Sequence, residues 1–331
     1  FKRSTLSANQ MLWWFGSNTS GGDRCYCYLK SGNKINFFFR AAGGSGTSGE
    51  LETNRLIRDP SAWYHFVVAV DTTQAVAADR IQMYLNGVNL RTTGEIGTNE
   101  DPTQNNYLGL DTSPAGMYIN ERGDNAYDEF FGGYLAEFYF IQGTQYAASD
   151  FGETNEDTNQ WIPKDASTLT FGTNGFFLKF EDSAALGNDS SGNTNNLTVT
   201  NLVATDKVLD SPTNNFATFN PLVADTPSGA QASYKALSEG SLKAVGSYAG
   251  DTGLAPGTFS FGTGKWYVEF VATSLSGAYP HIGIIETTSC TTQGGYAANS
   301  VMYKADGGKV ENSTNTGGVG DSWVAGDVMG M

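Results

Sequence analysis

The sequence predicts an all-β chain folded as two layered sandwich modules, on three observations. Apolar residues recur at every second position over short runs, the period of a strand with one buried face. No stretch of ten or more residues sustains an amphipathic helical repeat between breakers. The connections between runs are long, polar and rich in glycine, which supplies 41 residues against 9 prolines. A length of 331 residues suits about two domains, and 39% hydrophobic with 13% aromatic content supplies real cores.

In the first half, strands are expected at Met11 to Phe15, Arg24 to Lys30, Lys34 to Arg40, Trp63 to Val70, Arg80 to Leu85 and Gly133 to Ile141. Both alternating sets of Trp63 to Val70 are largely apolar, which predicts a central strand covered on its second side by a loop or layer. Ile81, Met83 and Leu85 share a face. Asn86-Gly87 follows at once, and tolerates the positive φ angles of a tight turn, so Val88 to Leu90 is expected to return beside the preceding strand. Gly43 to Gly49, Thr92 to Asn106 and Asp111 to Glu129 read as hydrated loops. Ser149 to Lys164 reads as a solvated acidic connector or a cation site, with Pro163 breaking any strand.

Extended structure resumes at Thr168 to Phe180, and Asp182 to Asn196 is polar and turn-rich. After Asp210-Ser211-Pro212 and Asn220-Pro221 a second set of strands is expected at Ser241 to Val245, Lys265 to Ala272, His281 to Ile285 and Ser300 to Tyr303. Trp266, Val268 and Phe270 alternate with Tyr267, Glu269 and Val271, the pattern of a mostly buried strand in which Glu269 needs solvent or a partner. The expected modules span 1–165 and 229–331, joined by an extended connector at 166–228.

Charge and chemistry narrow the function. With 19 basic and 34 acidic side chains the net charge is −15, which opposes binding to a phosphate backbone. No apolar run approaches the roughly 18 residues of a membrane span. Three cysteines without a CxxC spacing give neither a disulfide framework nor a zinc knuckle. Cys25 and Cys27 read as buried small hydrophobes, one long-range disulfide being the alternative. His65 and His281 are the only histidines; His65 is expected to be packed and hydrogen-bonded, and neither H-x-H nor H-E-x-x-H occurs. The glycine-rich segments lack a strand–G-x-G-x-x-G–helix context. Glu137 stands alone on its run, and Asp128 and Glu129, being adjacent, would point to opposite faces of a strand.

The wording of several runs is familiar. Trp63-Tyr64-His65-Phe66-Val67-Val68 followed by Ile81-Gln82-Met83-Tyr84-Leu85-Asn86-Gly87 resembles the signature of laminin-G-like, concanavalin A-like jelly rolls, and Leu135 to Phe140 resembles their closing strand. Tyr146 to Lys164, Asn174 to Phe180, Asp189-Ser190-Ser191-Gly192-Asn193 and Asp210 to Phe216 are similar to the continuation seen in tailed-phage structural proteins. Gly264 to Phe270 with His281-Ile282-Gly283-Ile284 resembles the opening of a SPRY-like domain. The resemblance implies two concanavalin A-like jelly-roll sandwiches in a tail-fibre-like or other structural protein at a virion surface or in an extracellular appendage. It implies several copies, other appendage proteins as partners and contact with host-surface glycans. It fixes no binding residue. Retaining glucanases of this fold carry an E-x-D-x-E or E-x-D-x-x-E strand, and none occurs here, so no enzyme is expected. A polysaccharide hydrolase and a pure assembly module are the alternatives.

Two sets of site residues remain. Asp182, Asp189, Ser191 and Asn193 offer oxygens around turns, and laminin-G-like modules often hold calcium at a loop rim. Hard cations need about six to eight oxygens, and Asx turns explain the same residues. Tyr107, Tyr118, Tyr127, Tyr279 and Tyr296 lie in or beside loops, where aromatic faces could stack on sugar C–H groups or anchor the loops. Asn18, Asn188, Asn196 and Asn312 head formal glycosylation sequons. Phe1-Lys2-Arg3-Ser4 resembles the tail of a laminin-G-like W-V-K-R-S strand, and 320–331 resembles a SPRY-like sandwich entering its next strand. Further residues, or strands donated by a neighbour, are therefore expected at both ends.

Overall fold

The computed structural model describes residues 1–6, 8–16, 23–40, 48–106, 116–123, 129–223, 235–246, 254–275, 280–287 and 299–331. They form an all-β protein in which helix is confined to single 3₁₀ turns such as Ala77–Asp79, Ala148–Asp150 and Ala204–Asp206. The chain divides into two compact units, Phe1–Phe216 and Ala217–Met331. Of the stretch expected to be a connector, 166–216 therefore belongs with the first unit and 217–223 with the second.

The first unit is built on a six-stranded antiparallel sheet. Its strands run Met117–Ile119, Gln10–Gly16, Arg24–Leu29, Ile35–Arg40, Gly49–Thr53 and Ile96–Glu100 across the sheet. Alternation decides which side is dry. Cys25, Cys27 and Leu29, then Ile35, Phe37 and Phe39, point inward and are buried. Against them pack Ile81, Met83, Leu85 and Leu90 from a three-stranded sheet of Phe66–Val70, Ile81–Leu85 and Val88–Asn89. The two inner faces enclose one core, as in a sandwich. Asn86 and Gly87 have φ of 48° and 80°, and the chain reverses there as expected.

Several expectations are corrected. Phe66–Val70 ends the three-stranded sheet, while Trp63 and Tyr64, at the start of the same run, pair with Lys2 and Phe1. Ile96–Glu100 is a strand inside a stretch read as loop; being an edge, it needs few apolar residues. The acidic connector contains an antiparallel pair, Gly152–Thr154 with Trp161–Pro163. Pro163 sits there at a strand terminus, where its missing N–H is tolerated. The closing strand splits into Gly133–Tyr134, paired with Lys2–Arg3, and Phe138–Phe140, paired with Phe176–Leu178. Glu137, at φ 50°, breaks it.

The second unit holds a four-stranded antiparallel sheet of His281–Ile285, Ser300–Lys304, Lys309–Glu311 and Thr314–Thr316. Lys235–Ser238 pairs with Lys243–Gly246, and Glu269–Val271 with Val328–Gly330. Its small core gathers Ala272, Trp323 and Met329 with Phe270, Ile282 and Tyr303. The long buried strand expected from Lys265 shrinks to Glu269–Val271, and Trp266 and Tyr267 stand outside it.

Candidate functional site

The turn residues suggested for calcium are engaged otherwise. Asp189 is nearly buried and accepts four hydrogen bonds. The Phe177 and Ser191 amides reach Oδ1 at 2.9 and 2.8 Å, and the Ser191 hydroxyl and Asn195 amide reach Oδ2 at 2.8 and 2.9 Å. Asn193 Nδ2 donates to the carbonyls of Gly172 and Gly175. Asp182 takes no part, its Oδ1 accepting the N–H of Ala184. Donors crowd the carboxylate where a cation would need acceptors, so the geometry is that of a hydrogen-bonded turn. Burial alone would raise the Asp189 carboxyl; the hydrogen bonds overcome it and hold the group below its ordinary value. Among the described residues no group of three His, Cys, Asp or Glu side chains is arranged to hold a metal.

The run Asp210 to Phe216 forms a clasp. The Lys2 ammonium, fully buried, donates to Asp210 Oδ2 at 2.7 Å, Asn215 Oδ1 at 2.7 Å and the Phe216 carbonyl at 2.6 Å. Trp63 Nε1 donates to Asp210 Oδ1 at 2.8 Å, and Asn215 Nδ2 to the Ser61 carbonyl at 2.7 Å. Each of the three ammonium protons has an acceptor, which is what a buried lysine requires. The sequence signalled a turn at Asp210-Ser211-Pro212 but gave no sign of its partner more than 200 positions away.

His65 is packed and hydrogen-bonded as expected. Its Nδ1 accepts the Trp161 indole N–H at 3.0 Å, and the rings stack with centroids 5.8 Å apart. Burial pushes the imidazole down to about 4. His281 lies across the sheet from Lys304, and burial first, then that cation, lower it too. Cys25 and Cys27 are buried free thiols; Cys290 lies outside the described residues.

Two carboxylates bear on the hydrolase alternative. Glu137 is exposed as a residue, yet its carboxyl lies on partly dehydrated ground beside the Tyr139 hydroxyl, which donates to it at 3.1 Å. Desolvation raises it, and the nearby Glu181 and Asp165 add to the rise. Asp165 is held low by the hydroxyl and amide of Ser167.

The proposed sugar-stacking tyrosines fare unevenly. Tyr107, Tyr127, Tyr279 and Tyr296 lie outside the described residues. Tyr118 is a sheet residue, half-buried, directly across from Trp14. It begins a row that continues through Trp14, Tyr26 and Phe38 on successive strands. Trp14 stacks on Tyr26 at 4.9 Å and 2°, and Tyr26 on Phe38 at 4.8 Å and 18°. Arg24 lies over both Trp14 and Phe38, and Arg40 over Phe38. These ring faces are spent on one another and on the arginines, which stiffens the sheet and leaves little for a ligand.

Open aromatic faces occur in the second unit. Trp266 is 61% and Tyr267 71% exposed, and Phe259 and Phe261 stand about half out. Phe261 stacks under the Trp266 ring, centroids 5.8 Å apart, and the Tyr267 hydroxyl donates to Glu269 at 2.6 Å. Nearby in sequence, Val271 faces Val328 across its strand pair, and in the four-stranded sheet Ile284 faces Val301; all four side chains are exposed. Sequence reasoning placed Trp266 inside; the available signal was Phe259-Ser260-Phe261-Gly262-Thr263-Gly264, a polar, glycine-punctuated lead that no strand continues.

The chain matches no protein-family model, no curated protein and no solved structure. Among the described residues no helix is long and apolar enough to cross a membrane.

Proposed function

We propose that this chain is a non-enzymatic structural protein of a virion surface or extracellular appendage, built of concanavalin A-like jelly rolls and displayed in several copies. Host-surface glycans are its ligand, taken at exposed loop aromatics. The observation that carries this reading is the solvent-facing group of Phe261, Trp266 and Tyr267. Indole and phenol rings offer sugar C–H faces an apolar platform, and hydroxyl and carboxylate groups such as those of Tyr267 and Glu269 meet sugar hydroxyls. The outward apolar pairs Val271 with Val328 and Ile284 with Val301 support self-association, since clustered exposed apolar side chains mark interaction surfaces. Repeated copies raise the effective affinity of individually weak sugar contacts.

The hydrolase alternative draws on Glu137 and Asp165, whose carboxyls are pushed in opposite directions as an acid and a base would be. A glycan array read for both retention and product release separates the readings. Retention without products supports attachment, cleavage supports the hydrolase, and silence in both supports assembly alone.

A further inference from the structure

The Lys2 clasp places a buried carboxylate and a carboxamide within hydrogen-bond reach of one buried amine. Lys2 has no solvent exposure and the Asp210 side chain only 6%. Tyr134 and Trp63 wall the site, with the ammonium 5.8 Å from the Tyr134 ring centre and the two rings 6.4 Å apart. Lys2 Nζ lies 2.7 Å from Asn215 Oδ1. The amide carbon is one C=O bond further, so the nitrogen is at most about 4 Å from it. A turn of the Asn215 side chain brings the pair to the roughly 3–3.5 Å of a near-attack arrangement.

We propose that Lys2 and Asn215 become joined by a side-chain amide, formed spontaneously in the folded chain with Asp210 as proton relay. Asp210 takes a proton from the Lys2 ammonium through the 2.7 Å contact. The amine lone pair attacks Asn215 Cγ and the C–Nζ bond forms. The second nitrogen proton passes to Nδ2, directly or through the carboxyl group. The Cγ–Nδ2 bond breaks and ammonia leaves, taking the relayed proton away as ammonium. Asp210 returns to a carboxylate still held by the Trp63 and Phe216 N–H groups. No oxidant or further reactant is consumed. Fixed geometry replaces the bimolecular encounter and so removes one part of the barrier to amide exchange. The product ties the strand Lys2–Arg3 to a segment more than 200 residues on, a bond suited to a chain under load.

The test is the intact mass of the full chain after purification and prolonged incubation at neutral pH. The expected value is about 17 Da below the sequence mass, the loss of one ammonia. Protease digestion should yield a branched peptide containing residues 2 and 215. An Asp210→Asn variant, checked for folding by circular dichroism, should keep the full sequence mass. A wild-type chain at full mass with no branched peptide overturns the proposal. So does a 17 Da loss that maps elsewhere or that hydroxylamine traps as a hydroxamate or by chain cleavage, as it does a succinimide.

Discussion

The indole of Trp161 donates to Nδ1 of His65 at 3.0 Å while stacking on the same imidazole, and this pair pins the Gly152–Thr154 and Trp161–Pro163 hairpin to the first sandwich. The bond requires a lone pair on Nδ1, hence a neutral histidine. Burial lowers the imidazole from 6.5 to about 4. Between those values the unfolded chain holds a proton that the folded chain does not. Stability from this group is therefore intact above pH 6.5, declines as pH falls to about 4 and is constant below, a loss of at most about 3 kcal/mol. Urea titrations from pH 4 to 7 should show that slope, and His65→Gln should flatten it.

Gly87 lies under the same indole. An added Cβ would meet Trp161 ring carbons at 2.4 Å, at a φ of +80°. Gly94 shares the positive φ, at +73°, with nothing within 4 Å. Gly94→Ala should cost about 1 kcal/mol from backbone strain alone. Gly87→Ala should cost at least about 2 kcal/mol more, because the ring must move. Equal losses for the two variants in denaturant melts would mean that the hairpin does not seat on this turn.

Asp189→Ala removes the acceptor of four donors, including the buried Phe177 amide. The expected loss is about 3 kcal/mol, set by stranded N–H groups. Asp182→Ala, which frees only the Ala184 amide, should lose less than about 1 kcal/mol. Thermal melts in millimolar calcium and in chelator should coincide; a calcium-dependent rise in Tm that Asp189→Ala abolishes would restore the metal reading.

How much of this was legible depends on what each residue has to do. Arg24–Leu29 could be read because one face must be dry, and alternation is the direct consequence; Ile35–Arg40 could be read from its aromatic run, which is buried on both faces. Ile96–Glu100 could not, since an edge strand contributes only Ile96 to the core and so carries no apolar period. The break at Glu137 was hidden because a non-glycine residue at positive φ is held by its surroundings and leaves no mark of its own. Asp189 was singled out for its oxygens beside a turn; the sequence does not say whether those oxygens face donors or a cation. Lys2 was read only as part of a strand tail, and its partners were hidden because they come from the far end of the unit.

Trp266 and Tyr267 should be replaceable without loss of stability, since both project into solvent. Trp266→Ala should leave the midpoint of denaturation within about 0.5 kcal/mol. A larger loss would show that the ring is a core residue and would remove the platform from the account.

The most direct test of the attachment role is a glycan array probed in parallel with the wild-type chain and with a Trp266→Ala, Tyr267→Ala double variant, the supernatant being analysed for released sugars. The expected result is reproducible retention by the wild-type chain, no released product, and at least a tenfold weaker signal from the variant, the equivalent of about 1.4 kcal/mol. Equal retention by both proteins, or sugar released by either, would contradict it.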